Sequence, residues 1–274
     1  MTTPTDEGSA AVRNYREDGY VIFREVLDGA LIREASDHVA WLQRHHRDRR
    51  GEDLSHELVA RDPFWVRLVG DERLLDIAAQ FVGPDIALFA AHYIAKPPFC
   101  GRPVLWHQDG AFWPLEPMNV VTLWLAVDES TPENGCLRVI PGSHAGQLHD
   151  LRRRTDVDNV LGAESAVDID ESSAVDLIMA PGDVEVHHPG IVHGSSANNS
   201  PKRRCGLTIR YIPTSTRIVA PEQPYPSALL LRGEPGVNVY QPRPVFVPGR
   251  DFAFAGSDRW LATAPVRQAP EQPR

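Results

Sequence analysis

At Asp85 the texture of the chain changes, and this change limits the fold more than any single motif does. Before it the apolar residues keep helical spacing: Ile32, Ala35, Val39 and Leu42 recur between Asp28 and His46. Tyr20-Val21-Ile22-Phe23 reads as a short strand, and a charged loop follows from Arg47 to Ser55. Two short helices are expected over Phe64–Leu68 and Leu74–Phe81, the second closed by Gly83-Pro84. After Asp85 come short segments rich in β-branched and aromatic residues: Ile86–Ala95, Val120–Val127, Cys136–Ile140, Val175–Met179, Asp183–His187 and Cys205–Tyr211. Turn signals such as Pro132-Glu133-Asn134-Gly135, Pro141-Gly142-Ser143 and Pro181-Gly182-Asp183 separate them. Helices first and strands second exclude a doubly wound sheet, which needs strict alternation, and no G-x-G-x-x-G follows a strand. Many short strands with such turns indicate a mainly β jelly roll behind N-terminal helices.

The expected organisation is one domain over 1–274. It comprises a helical part at about 9–84, a jelly-roll core at about 85–213, and an irregular extension at about 214–274. The acidic, aperiodic stretch 148–173 interrupts the core as an insertion near the site, in the manner of a flap. The Pro-rich extension, with a short helix at Asp258–Ala262, either folds over the barrel mouth or mediates a dimer contact.

Charge and cysteine content narrow the class. A net charge of -9 is the opposite of a nucleic-acid footprint, and Arg152-Arg153-Arg154 reads as a solvated face. Met1–Ala10 lacks the apolar core of a signal peptide, and no run reaches the ~18 apolar residues that span a bilayer. Cys100, Cys136 and Cys205 are widely spaced, with no C-x-x-C pair, which fits reduced thiols. The expectation is a soluble cytoplasmic protein, monomer or homodimer, with no nucleic-acid or membrane partner.

The chemistry concentrates in Leu105-Trp106-His107-Gln108-Asp109-Gly110, followed downstream by His193 and, eleven residues later, Arg204. On a strand, residues two apart share a face, so His107 and Asp109 can aim into one cavity. Two imidazoles and a carboxylate make a facial set for iron(II) that leaves positions open for a co-substrate and dioxygen. With eleven histidines in the chain, a lone His-x-Asp is ordinarily a hydrogen-bonded or surface pair; the ordered set gives the motif its weight. Arg204 opens a strand and suits bidentate pairing with a carboxylate, to which Ser195 can add a hydroxyl. If Arg204 faces inward, Gly206, Thr208 and Arg210 share its face, with Gly206 leaving space near the metal. Arg210 then meets either an anionic substrate group or an acidic neighbour in a structural salt bridge. Phe112 and Trp113 are a pocket wall or ordinary core, and His92 approaches from the barrel floor. His188 is expected to hydrogen-bond within the sheet, His187, His144 and His149 to be peripheral, and Lys96 to mark a strand end.

With those residues assembled, the chain resembles the phytanoyl-CoA dioxygenase family of iron(II)/2-oxoglutarate oxygenases, which includes ectoine hydroxylase-like enzymes. The matching pieces are Lys96-Pro97-Pro98, Trp106-His107-Gln108-Asp109, Trp124, Glu133-Asn134-Gly135-Cys136-Leu137, Pro141-Gly142-Ser143-His144, and the block from His188 through His193-Gly194-Ser195 to Arg204. The resemblance runs from about Asp18 to Pro213. It implies a cupin-like double-stranded β-helix, with iron held by His107, Asp109 and His193. It further implies 2-oxoglutarate held by Arg204 and Ser195 beside Trp124, with His92 close to it, and O2 as co-substrate. A lysine that some members place upstream near the co-substrate has no counterpart in Glu57–Arg61. Nothing signals a coenzyme A site, so the family name does not name the substrate. Related halogenases lack the carboxylate ligand; the presence of Asp109 favours hydroxylation of a small molecule at an unactivated C–H bond, yielding succinate and carbon dioxide. Oxidative cyclisation, epimerisation or desaturation would share the first hydrogen abstraction, and a non-catalytic jelly-roll binding protein is the alternative of a different class.

Overall fold

The computed structural model describes residues 6–248 and residue 251. Helices α1 (Asp6–Asp18), α2 (Gly29–His45), α3 (Pro63–Val69) and α4 (Glu72–Val82) come first, with strand β1 (Tyr20–Phe23) between α1 and α2. α2 starts where the Asp28 carboxylate accepts hydrogen bonds from the Ala30 and Leu31 amides, and it buries the expected stripe of Ile32, Ala35, Val39 and Leu42. α4 ends at Gly83, whose φ of 85° an L side chain would resist.

Nine more strands form two facing sheets: β2 (Ile86–Lys96), β3 (Val104–His107), β4 (Val121–Ala126), β5 (Leu137–Val139), β6 (Val175–Leu177), β7 (Val184–His187), β8 (His193–Ser195), β9 (Arg204–Pro213) and β10 (Leu229–Arg232). The larger sheet runs β1-β7-β4-β9-β2-β10 and the smaller β3-β8-β5-β6, with every pairing antiparallel. Trp124 and Ala126 of one sheet pack on Leu137, Val139 and Leu177 of the other, closing a jelly roll. The helices cover the outer face of the larger sheet, where Cys205, Leu207, Ile209 and Tyr211 of β9 join Val39, Leu42, Phe64 and Trp65 in the main core.

One expectation needed revision. The extension after Pro213 is not irregular throughout: β10 adds to the edge of β2, Arg217–Ile218 pairs with Leu115–Glu116, and Ala228 and Ile218 pack on Ala87 and Phe89. Its Pro-rich surroundings hid a Leu229-Leu230-Leu231 run that becomes a strand because β2 offers it an open edge. The 148–173 insertion carries a hairpin, Leu151–Arg153 with Ala163–Ser165, held by backbone bonds that aperiodic sequence does not advertise. Asp258–Ala262 lies outside the described residues. Among the described residues, no helix is long and apolar enough to cross a membrane.

Asp62 ties the helical layer together. Its carboxylate accepts from the Phe64 and Trp65 amides at the start of α3 and lies 2.7 Å from His38 Nε2 on α2. Asp62→Ala removes a helix cap and the Nε2 partner of a buried imidazole, so chemical denaturation should show a loss of about 2–4 kcal/mol.

Candidate active site

The metal-binding candidates are set by strand pairing. His107 ends β3 and His193 begins β8, and the two are direct cross-strand partners. Their rings lie 4.1 Å apart between centroids. Asp109 is not on the strand, as alternation suggested, but opens the 3-10 turn Asp109–Phe112. Gln108 remains extended (φ -117°, ψ 125°), so the carboxylate still returns to the side of His107. The Gln108 side chain points into the neighbouring loops, donating to the Gly190 carbonyl at 2.7 Å and accepting from the His149 amide at 2.7 Å. The turn is pinned by the Gly110 amide donating to the Pro189 carbonyl.

These three side chains fit a divalent metal. Their donor atoms lie within 4.8 Å of one another and all three residues are buried. Asp109 Oδ1 stands 3.4 Å from His107 Nε2 and 3.9 Å from His193 Nε2. Metal–ligand bonds of about 2.0–2.2 Å hold neighbouring donors roughly 3 Å apart, so a small contraction suffices. Each imidazole donates Nδ1–H to a backbone carbonyl, His107 to Leu105 and His193 to Ile191, which leaves Nε2 with its lone pair toward Asp109. Burial and the neighbouring His107 and His187 push His193 well below the usual imidazole range, hence neutral, as a ligand must be. Burial disfavours the Asp109 charge, but the Arg210 guanidinium together with His107, His187 and His193 outweighs it and holds the carboxyl well below the ordinary range.

Beside this cluster lies a cradle of positive charge. Arg204, 2% exposed, donates from Nε to the Gly135 carbonyl at 3.0 Å and from its terminal nitrogen to Ser195 Oγ at 3.2 Å. The carbonyl is presented by the expected turn at Pro132–Gly135, where Gly135 has a φ of +78° and a side chain would strike the Ser196 carbonyl. Trp124 spreads its ring 5.5 Å from the Arg204 guanidinium carbon. The ring occupies the place left by Gly206, where an added Cβ would fall 2.0 Å from it. The room expected near the metal is thus filled by indole.

Lys96 ends β2, as expected, but it does more than mark the strand end: it is fully buried, donating from Nζ to Ser195 Oγ at 2.7 Å and to the Ser196 carbonyl at 2.5 Å. Burial and the adjacent Arg204 depress its pKa well below the usual amine range, and burial lowers that of Arg204 to about 10. Among the described residues no carboxylate comes within ion-pair distance of either cation. Two buried cations sharing one hydroxyl are what an anionic ligand would complete.

The metal cluster and the cradle open on one cavity of about 190 Å³, smaller than the ~300–1,000 Å³ of common ligand pockets. Phe112 and Trp113 line it; Phe112 meets His107 edge-on with centroids 5.8 Å apart. Thr208 and Arg210 line it too, but Arg210 already has an acidic neighbour, Asp109 Oδ2 at 3.6 Å. Arg210 also donates to Thr208 Oγ1 at 2.5 Å and lies 5.5 Å from the Trp113 ring centre. His92 pairs across the sheet with Thr208, four residues from the Arg204–Lys96 pair, and bonds to His56 (2.9 Å) and Arg210 (3.3 Å). It therefore stands with Arg210 rather than in the cationic cradle. Val160 and Leu161, from the 148–173 insertion, share a wall with Glu52 between this cavity and an outer depression of about 380 Å³.

Sequence reasoning missed His187, which lines the cavity with Nε2 3.5 Å from Asp109 Oδ2. It also missed Glu185, whose Oε2 lies 2.8 Å from His187 Nδ1. Against the cost of burial, the Glu185 and Asp109 carboxylates raise His187 to about 9. The available signal was two polar residues, Glu185 and His187, alternating with valines in a strand otherwise read as core. His188, expected to hydrogen-bond within the sheet, instead accepts from the Gly190 amide at 3.0 Å in the turn that follows β7. A larger cleft of about 780 Å³, beside Arg67, Arg243 and Phe246, contains no metal-ligating cluster among the described residues.

With this fold and this site, the chain belongs to the phytanoyl-CoA dioxygenase (PhyH) family, whose model matches residues 15–206. It is 33% identical over 198 residues to the ectoine dioxygenase of Sphingopyxis alaskensis, which covers 65% of this chain and 64% of that one. The chain spans about half to two thirds of the length of the curated relatives it matches. Among solved structures it resembles the apo non-heme monooxygenase ThoJ, with a TM-score of 0.74 and 27% identity over 92% of this chain and 93% of that one. It also resembles SnoK, a non-heme alpha-ketoglutarate-dependent carbocyclase of nogalamycin biosynthesis, with a TM-score of 0.60 and 26% identity over 80% and 89% of the two chains.

The fit of indole to glycine is open to test. Gly206→Ala forces Trp124 aside, and overpacking should lower stability by about 1–3 kcal/mol in urea denaturation. Unchanged stability would mean that Trp124 moves freely.

Proposed function

We propose that the protein is an iron(II)- and 2-oxoglutarate-dependent oxygenase that hydroxylates a small molecule at an unactivated C–H bond, with succinate and carbon dioxide as co-products. One observation carries the reading: a facial set of three metal donors lines the same small cavity as Arg204 and Ser195, with Lys96 buried and bonded to Ser195, and among the described residues no carboxylate stands within ion-pair distance of either cation. Iron(II), held by His107, Asp109 and His193, would supply the oxidation of substrate by O2, coupled to oxidative decarboxylation of 2-oxoglutarate.

The chain's own residues do the rest. Arg204 and Lys96 neutralise the distal carboxylate of the co-substrate, and Ser195, bonded to both, adds its hydroxyl. Trp124 walls that end against water and against a longer diacid. Phe112, Trp113, Thr208, Arg210 and His92 form the substrate side, with Val160 and Leu161 from the insertion across the opening. Arg210 is engaged with Asp109, so an anionic group on the substrate would have to share it. The small cavity favours a compact substrate or a compact reacting end once the co-substrate is seated. Cyclisation is the second reading, supported by the likeness to the carbocyclase; it starts from the same hydrogen abstraction and differs in where the substrate radical is held. The action on a cellular metabolite goes with the proposal of a cytoplasmic enzyme, monomeric or dimeric.

Anaerobic titration of the iron(II)-loaded protein with 2-oxoglutarate should produce a weak visible charge-transfer band. No band, with iron shown to be bound, would sink the co-substrate assignment. Arg204→Ala should weaken 2-oxoglutarate binding by about 2–5 kcal/mol, 30-fold or more, while sparing the metal. Lys96→Met should act in the same direction. Equal loss of metal and co-substrate would give these cations another role. Turnover on a metabolite panel, with products identified by mass spectrometry, separates hydroxylation from cyclisation and from a binding protein without turnover.

A further inference from the structure

Glu185 and His187 are buried and polar, and the proposed reaction does not call on them. They lie two apart on β7 and so share a face, while Val184 and Val186 point the other way into the main core. Glu185 is fully buried, with Oε2 on His187 and Oε1 without a partner. Apolar residues would have filled this face without the cost of burying polar groups, so the pair calls for a reason.

The sheet register supplies one. His187 pairs across to Thr122 on β4, and Thr122 pairs to Arg210 on β9. The three residues form a row across adjacent strands of the larger sheet, and all three reach one atom, Asp109 Oδ2. His187 Nε2 lies 3.5 Å from it, Thr122 Oγ1 donates to it at 3.2 Å, and an Arg210 terminal nitrogen lies 3.6 Å away. The other oxygen, Oδ1, faces His107 and His193. The two carboxylate oxygens are therefore sorted between two sets of partners on opposite sheets.

We propose that the row His187–Thr122–Arg210 is a clamp on Asp109, with Glu185 behind it to orient His187, and that it presents the carboxylate to the metal through Oδ1 alone. This rests on the metal centre proposed above. A carboxylate free to turn could chelate through both oxygens and occupy a position that the co-substrate or O2 needs. His187 and Glu185 are thus positioning residues, acting through Asp109.

Cobalt(II) titration of the purified full chain tests this without turnover, reading affinity from the visible d–d band and coordination from its shape and intensity. His187→Phe keeps the ring volume and removes the bond; affinity should fall about 10- to 100-fold and the band should change. His187→Gln, whose amide can stand in for Nε2, should recover to within about threefold of the wild type. Glu185→Gln should weaken binding less, and its effect should vanish in the His187→Phe background, because Glu185 acts through His187. Should His187→Phe fail to fold by circular dichroism, the near-isosteric Thr122→Val carries the test, with weaker binding and the same change of band expected. Failure of the wild type to bind cobalt(II) would refute the metal centre itself. Wild-type binding with an unaltered affinity and spectrum in His187→Phe, or in Thr122→Val where that stands in, would overturn the clamp alone. An undiminished Glu185→Gln effect in the His187→Phe background would remove Glu185 from it.

Discussion

β9 is the strand on which the molecule depends, because both of its faces are committed. Cys205, Leu207, Ile209 and Tyr211 enter the core beneath the helices, and Arg204, Thr208 and Arg210 enter the cavity. It is paired on one side to β2 and on the other to β4, so its register is held twice. A slip of one residue would place two arginines among Leu42, Trp65 and Tyr93, and aliphatic side chains at the metal. The desolvation cost of that exchange makes the register of the site and the register of the core one constraint.

Charge within the cavity is arranged in two compartments. Around the metal candidates, the carboxyls of Asp109 and Glu185 stand against Arg210 and His187, so that end comes close to internal balance before any ion arrives. At the other end, among the described residues, Lys96 and Arg204 have no carboxylate within ion-pair distance, Glu52 acting on them only from further off, and the imbalance remains for a ligand to settle. That difference explains why Arg210, read from sequence as a substrate contact or a structural ion pair, is already bonded to a protein carboxylate, while Arg204 is not. Like charges close together and out of water are costly, and their persistence in a folded chain is the physical mark of a binding site.

Much of this was legible in the sequence. The helical stripe of α2, the closure of α4 at Gly83, and the order of strands from Ile86 to Tyr211 follow from periodicity and turn residues, which act over a few positions. The members of the metal set could be named because His-x-Asp, a distant histidine and a following arginine are unusual in that order. Elements without a local signature were missed: β10, which exists because β2 leaves an edge open, and the 151–165 hairpin, closed by backbone bonds. Gly206 was read as empty space, although only the packed structure shows Trp124 from the neighbouring strand lying across it. His187 and Lys96 were discounted for the same reason: each gets its role from residues that are far away in the chain.

By itself, the sequence determined the kinds of elements, their order, and a set of candidate metal ligands, since these depend on side-chain chemistry and on spacing along the chain. Only the tertiary structure decided which polar residues share a cavity, which oxygen of Asp109 faces the candidate metal ligands, and which cations, among the described residues, have no carboxylate in ion-pair reach. Those outcomes depend on cross-strand register and on the removal of water, and both arise when segments a hundred residues apart are packed together.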